Sequence, residues 1–298
     1  NKPIFEETDS DSIKMAKASY TLGDFAQGAL GSEEIVTLEN EVVKIDFSTK
    51  GALVESVILK DYLNYKKETL TLFEKGDNWF SIELPTRSNR MLQTADMNFR
   101  VGAKTDSSVV FTLPIEGGRS LDFIYVLHPN DYMVDFDVKA NGLSEVLQPV
   151  DALKSYWKYK VRQQEKGRKF ENRYSQIYYY LTDDEDYEYL SETSSETEEV
   201  NEKIRWIAYK DQFFSAVLIA DNSVKSATIS SELEPDKSEY LKAYSSTIML
   251  PYEGGNSQMD LRLFFGPNKY SLLKDYDDGV PSDEELNLQT LVPLGISL

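Results

Sequence analysis

Apolar side chains at every second position, in short stretches between turn-forming residues, constrain the fold of this sequence more than any other feature. The alternation runs through residues 43–47, 132–138 and 259–265. A period of two places one face of an extended strand on a core. Asn141-Gly142 and Gly254-Gly255 mark turns near these stretches. Many short strands with frequent turns predict an all-β sandwich or barrel, and 298 residues suggest one large sandwich or two fused sheets.

The clearest predicted hairpin joins residues 121–127 to residues 132–139. In the second strand Tyr132, Val134 and Phe136 share one face with Val138, and polar residues occupy the other. The connection is His-Pro-Asn-Asp at residues 128–131, and all but the His are turn formers.

The start of the chain departs from this pattern. Residues 1–32 are polar, and scattered Gly residues interrupt a short helical stretch at residues 13–20. This composition predicts a flexible lead, with a packed element as the alternative. The β domain would then occupy residues 33–265.

The end of the chain, residues 266–298, predicts short helices. Gly266-Pro267 ends the last strand, and Pro suits the first turn of a helix, in which Tyr270 and Leu273 have helical spacing. The sequence Ser-Asp-Glu-Glu at residues 282–285 is a capping box, which predicts a second short helix. Its apolar positions would be Leu286, Leu288, Leu291 and Val292.

Composition excludes several classes of function. The chain has 32 Lys+Arg against 51 Asp+Glu, and the formal charge of −19 argues against a nucleic-acid-binding protein. It also argues against simple adsorption to an anionic membrane. There is no Cys and one His. The chain therefore cannot form disulfides or thiolate zinc sites, and a His-based metal site is not expected. We therefore expect no metal and no cofactor.

Charge is distributed unevenly in the middle of the chain. Residues 154–173 contain eight basic and two acidic residues, whereas residues 183–202 contain ten acidic residues and no basic one. The basic stretch is interpreted as two strands with solvated faces, and a docking edge for a protein partner is the alternative. The tract at residues 183–188 is interpreted as a solvated acidic loop.

Motifs for catalysis are weak. No phosphate-binding loop and no nucleophile elbow occurs, and His128 lies in a predicted turn. Residues 275–279 resemble a calcium loop, but Gly279 and Leu286 stand where the pattern requires ligands. Plentiful acids and aromatic residues leave a carbohydrate-binding or carbohydrate-active sandwich open as an alternative function. A surface adhesin or scaffold module is a third possibility.

Four segments, in order, resemble the periplasmic domain of YidC/Oxa-type inner-membrane protein insertases, in a Bacteroidetes-like form. They are the strands at residues 36–59, the hairpin at residues 125–138, the stretch Arg205–Ile219 and the junction Phe264-Phe-Gly-Pro-Asn268. The resemblance extends from about Glu34 to the C-terminus. Residues 152–202 depart most from the family's pattern.

The resemblance implies an all-β supersandwich like that of galactose mutarotases, followed by short C-terminal helices that lead to a transmembrane segment. It implies a periplasmic domain of an inner-membrane protein, attached by flanking helices. The chain opens on Asn1 rather than Met, which fits a piece of a longer protein. The family inserts and folds membrane proteins with or without the Sec translocon.

The domain itself is therefore expected to be a monomeric, non-enzymatic docking element. Its expected partners are the Sec translocon, the accessory proteins of the translocon and nascent membrane proteins. The predicted partner-binding residues are Lys166, Arg168, Lys169, Tyr270, Leu273 and Leu286.

Overall fold

The computed structural model describes residues 2–293, and strands dominate this part of the chain. The strands are β1 Ile35–Glu39, β2 Val43–Ser48, β3 Leu53–Leu63, β4 Thr69–Phe73, β5 Asn78–Pro85, β6 Met91–Gln93, β7 Arg100–Lys104, β8 Ser108–Ile115, β9 Arg119–Leu127, β10 Met133–Asn141, β11 Ala152–Arg162, β12 Gln176–Leu181, β13 Asp186–Tyr189, β14 Glu196–Val200, β15 Ile204–Lys210, β16 Phe214–Val224, β17 Ser226–Leu233, β18 Tyr240–Pro251 and β19 Gln258–Pro267. The α-helices are α1 Asp11–Leu22, α2 Arg168–Arg173 and α3 Tyr270–Asp275. Turns of 3-10 helix occur at Gly23–Ala29, Thr94–Asp96, Leu143–Glu145, Ser282–Glu284 and Leu288–Leu291.

The strands form three antiparallel sheets. A four-stranded sheet has the order β1-β2-β3-β4, and a nine-stranded sheet has the order β13-β12-β15-β16-β19-β10-β9-β8-β7. A six-stranded sheet has the order β14-β17-β18-β11-β5-β6. The two smaller sheets pack on the nine-stranded sheet through aromatic side chains. The Trp157 ring of β11 stacks on Tyr209 of β15 with centroids 3.8 Å apart, and Phe47 of β2 meets Tyr125 of β9 at 4.5 Å. The predicted all-β sandwich with few short helices is confirmed.

The predicted hairpin is also confirmed. Strands β9 and β10 pair with Tyr125 opposite Phe136, and their alternating residues are buried. His128 lies in the connection between the two strands, and its Nε2 is 2.8 Å from the carboxylate of Asp135. The imidazole is exposed, so this part of the molecule is a surface turn.

The first 32 residues differ from the predicted flexible lead. Helix α1 begins after Ser10, whose hydroxyl accepts a hydrogen bond from the backbone N–H of Ile13, and a 3-10 turn follows it. Ala18, Leu22 and Phe25 are buried. Their spacing of four and three residues forms one apolar stripe, and this stripe packs on the sandwich in spite of the polar composition around it.

The basic and acidic blocks become different elements. The first half of the basic block forms β11, in which Leu153, Trp157 and Val161 point inward and the lysines face solvent, as predicted. The second half forms helix α2 rather than a strand. The acidic block, interpreted as a loop at its start, supplies β13 and β14, which are edge strands of the nine-stranded and six-stranded sheets. Their side chains are mostly exposed.

Among residues 2–293, no helix has the length and apolar character that crossing a bilayer requires. The last five residues, which were predicted to lead into a transmembrane segment, lie outside the described part of the chain.

Candidate functional site

The segment after β19 differs from the two predicted helices. Helix α3 is present, but two 3-10 turns at Ser282–Glu284 and Leu288–Leu291 replace the second helix. The carboxylate of Asp277 accepts hydrogen bonds from the backbone N–H groups of Leu286 and Asn287 at 2.7 and 2.9 Å. Asn287 has a left-handed φ of 55°, which interrupts any helix at this residue. The hydrogen bonds to the Asp277 side chain therefore replace those of a second helix, and the capping box does not start one.

Residues 286–293, here called the C-terminal strap, are fixed to the outer face of β12 and β15. Trp206 Nε1 donates a hydrogen bond to the carbonyl oxygen of Leu286 at 2.7 Å. Lys210 Nζ donates to the carbonyl oxygen of Leu291 at 3.0 Å. The Nδ2 of Asn287 donates to the Tyr180 hydroxyl at 2.9 Å. The strap is thus held at its first two residues and again at Leu291.

Two lysines are buried, and one of them, Lys210, lies at the end of the strap. Burial lowers the pKa of Lys210 to about 8, and its ammonium also lies 4.9 Å from the centre of the Tyr178 ring. Lys242 of β18 is fully buried, and burial lowers its pKa to about 8. Its ammonium donates to the carbonyl oxygens of Asn172 and Glu192 at 2.9 and 2.7 Å, and to that of Ser175. Each ammonium therefore ties loop backbone to a strand.

Two buried carboxyl groups lie beside these lysines. The Glu171 carboxyl of α2 accepts hydrogen bonds from the backbone N–H groups of Gln164 and Glu165 at 2.8 and 3.0 Å. Burial raises its pKa to about 8, and the neighbouring Asp211 carboxylate adds to this rise. Asp211 accepts from the N–H groups of Phe213 and Phe214, yet burial raises its pKa to about 7. All four groups have backbone partners, so this cluster fixes chain segments in place.

The three predicted basic residues have different surroundings. Arg168 is half-buried, and its guanidinium donates to the carbonyl oxygens of Pro235, Ser238 and Tyr240 at 3.0, 2.7 and 2.7 Å. It holds α2 against the loop between β17 and β18, and this internal role corrects its prediction as a partner contact. Lys166 and Lys169 are exposed.

The three predicted C-terminal residues also differ in exposure. Tyr270 is 49% exposed on α3. Leu273 and Leu286 are 0% and 2% exposed, so they are core residues and cannot offer a surface contact. Helical spacing placed Leu273 on an apolar face, and that face packs inward, against the last 3-10 turn.

Lys210, Glu171 and Asp211 were missed by the sequence reasoning. Lys210 occupies the same alternating positions of β15 as Trp206 and Ala208, which are buried. A charged residue in register with buried ones is a signal that could have revealed it.

A family model of the YidC periplasmic domain matches residues 35–297. The membrane protein insertase YidC of Parabacteroides distasonis is 38% identical over 288 residues, which are 96% of this chain and 45% of that protein. That of Azobacteroides pseudotrichonymphae is 40% identical over 292 residues, 97% of this chain and 47% of that protein. The chain spans slightly less than half the length of these curated relatives.

Two solved structures are similar at low sequence identity. The periplasmic domain of Thermotoga maritima YidC has a TM-score of 0.41 and 12% identity, covering 88% of this chain and 96% of that one. A galactose mutarotase-like protein from Lactobacillus casei has a TM-score of 0.48 and 15% identity, covering 78% of this chain and all of that one. The family match and the full-length similarity to curated relatives decide the assignment. The chain belongs to the YidC periplasmic domain family, which confirms the resemblance seen in its motifs and the predicted place as a periplasmic domain of an inner-membrane protein.

Proposed function

We propose that this chain is a non-enzymatic docking and scaffold domain of a membrane-protein insertase. It assists the insertion and folding of inner-membrane proteins, with or without the Sec translocon. The names of the curated relatives support the insertase role. In this proposal the insertion step itself belongs to the part of those proteins that the chain does not cover.

The observation that carries the scaffold role is the fixed C-terminal strap. Trp206 and Lys210 hold the backbone of this segment against the nine-stranded sheet. Because three side chains of one sheet hold it along its length, the strap and the sandwich move as one body. A domain that positions partners needs such a rigid connection.

The partner contact proposed for this region is Tyr270. Helix α3 packs on the last turn of the strap, and the Tyr270 ring at the first residue of the helix remains half-exposed. Exposed tyrosines are common anchors of protein interfaces because they offer a large ring and a hydroxyl. The proposed partners are the Sec translocon and its accessory proteins.

The non-enzymatic part of the proposal rests on where the candidate catalytic side chains lie. His128, the only histidine of the sequence, is on an exposed turn beside Asp135. Many of the large aromatic residues are in the core. Phe80, Tyr125 and Trp157 surround a cavity of about 20 Å³ between the sheets, which has room for about one water molecule.

A photo-crosslinking amino acid at position 270 of the full-length protein tests the docking role. The control carries the same amino acid at Tyr189, which is also half-exposed but lies on edge strand β13. We expect crosslinks to translocon components from position 270 and none from position 189. Equal yields from both positions would contradict a docking surface on α3. Calorimetry with galactose tests the alternative, and measurable binding at millimolar sugar would count against the non-enzymatic assignment.

A further inference from the structure

Five basic side chains form a cluster at one end of the sandwich, here called the basic tip. They are Lys66, Lys67, Lys166, Lys169 and Arg173, and all are exposed. Two chain segments far apart in sequence build it, because the backbone N–H of Tyr65 donates to the carbonyl oxygen of Gln164 at 2.8 Å. Within residues 2–293, none of the five forms an ion pair with a carboxylate.

Five exposed basic residues without ion pairs are unusual in a chain whose formal charge is −19. In the two segments that build the tip, residues 61–68 and 163–174, six basic residues stand against four acidic ones. One of those acids, Glu171, is fully buried. The tip is therefore a locally positive surface on a strongly negative domain, and it attracts an anionic surface.

Large apolar side chains are exposed among the cations. Leu63, Tyr65 and Phe170 are 58%, 41% and 51% exposed. The Lys66 ammonium lies 5.7 Å from the centre of the Tyr65 ring, and Phe170 contacts the ring of Tyr174 at 5.1 Å. Lysines interleaved with aromatic and aliphatic residues are typical of surfaces that bind at a membrane interface, where rings enter the headgroup layer and ammonium groups meet phosphates.

The basic tip and the end of the C-terminal strap both lie toward the end of β15. Lys210 binds the carbonyl oxygen of Leu291, and the next residue, Asp211, lies near Glu171 of α2.

We propose that the basic tip docks this domain on the anionic phospholipid headgroups of a bilayer. Lys66, Lys67, Lys166, Lys169 and Arg173 meet the phosphates, and Phe170 with its apolar neighbours enters the headgroup layer. The net negative charge of the chain opposes adsorption through its acidic faces, so this contact also favours one orientation of the sandwich. The inference goes beyond the docking of protein partners and does not depend on it.

Vesicle flotation of this chain tests the proposal, with phosphatidylcholine vesicles that contain or lack phosphatidylglycerol. We expect binding only with phosphatidylglycerol, and weaker binding at high salt. Lys166→Glu with Lys169→Glu should reduce binding by at least about 30-fold, because each lysine lost near an anionic surface costs about fivefold and each new carboxylate is repelled. The matched control, Lys104→Glu with Lys139→Glu, changes the net charge equally at exposed sites on β7 and β10 and should bind like the unchanged chain.

Phe170→Ser keeps the charge and should reduce binding as well, since it removes the apolar contact. Near-ultraviolet circular dichroism of each variant confirms that it is folded. Equal loss in the tip and control variants would overturn the proposal, and so would equal binding of the unchanged chain to both kinds of vesicle. Vesicle binding that is insensitive to the tip, with capture of an acidic protein that is lost in the tip variant, would assign the tip to a protein partner and overturn it too.

Discussion

Replacing Glu171 by Gln should flatten the dependence of stability on pH. Glu171 is fully buried, and its carboxyl accepts two backbone N–H groups from the loop before α2. Gln has nearly the same volume but cannot ionise. Its NH₂ group replaces one acceptor, so the variant should be about 1–2 kcal/mol less stable than the unchanged chain at pH 5, where Glu171 is protonated in the folded chain.

The magnitude follows from the pKa of Glu171, which rises from 4.5 to about 8 in the folded chain. The folded state then binds the proton more tightly than the unfolded state. The stabilisation is fully present below about pH 4.5 and is lost as the pH rises through about 8. Each pKa unit corresponds to about 1.4 kcal/mol, so about 2–3 kcal/mol should disappear between pH 5 and pH 7.

Urea unfolding followed by tryptophan fluorescence at pH 5, 6, 7 and 8 measures this loss. The unchanged chain should lose about 2–3 kcal/mol more than Glu171→Gln between pH 5 and 7. Glu198→Gln, at an exposed position of β14, makes the same change of charge without burial and should follow the unchanged chain. Parallel stability curves for the unchanged chain and Glu171→Gln would refute the reasoning.

Three further substitutions test the fold around the site. Trp206→Phe leaves the carbonyl of Leu286 unpaired; it should cost about 1–3 kcal/mol and speed proteolysis within the C-terminal strap, as detected by mass spectrometry. Phe25→Ala should lower the free energy of unfolding by about 3–5 kcal/mol, as measured by urea unfolding. A change near zero would support the earlier prediction that the start of the chain is a flexible lead. Arg168→Ala should cost about 2–3 kcal/mol, whereas Lys169→Ala should stay within about 0.5 kcal/mol; a reversed order in thermal unfolding would contradict the internal role of Arg168.

The strands could be predicted because their burial alternates. In β10, the period of two separates Val134 and Phe136 from Asp135 and Asp137, and the structure buries the first pair more deeply than the second. The same reasoning identified β11 from Trp157 between exposed lysines. Local alternation is a property of one strand and needs no knowledge of its neighbours.

The ends of the chain could not be predicted in the same way, because tertiary contacts decide them. The first helix has only a narrow apolar stripe, and its packing depends on a distant side chain: Arg90 donates hydrogen bonds to the carbonyl oxygens of Tyr20 and Thr21. The capping box at residues 282–285 is a local signal, but the Asp277 carboxylate captures the N–H groups that a following helix would use. Local helix propensity does not determine the structure where such a tertiary contact competes with it.

The candidate site was predicted in part. Lys166 and Lys169 lie on the surface, where charged side chains are expected. Helical spacing identified Leu273 as part of a helix, but its burial could not be predicted because it depends on the strap that packs against this helix. The cluster around Glu171 joins segments 40 residues apart, from Glu171 to Asp211, and this proximity is created by the sheet order.

The acidic side chains on the edge strands disfavour the addition of another strand to these sheets. Among residues 2–293, strands β13 and β14 each lie at the edge of a sheet, with no strand on one side. Such an edge is a template to which another extended chain can add, and this addition begins many aggregates. Glu196, Glu198 and Glu199 place carboxylates along one of these edges, so an approaching strand meets electrostatic repulsion. Extended chains that come close to these edges are in this way kept from joining the sheets of the domain.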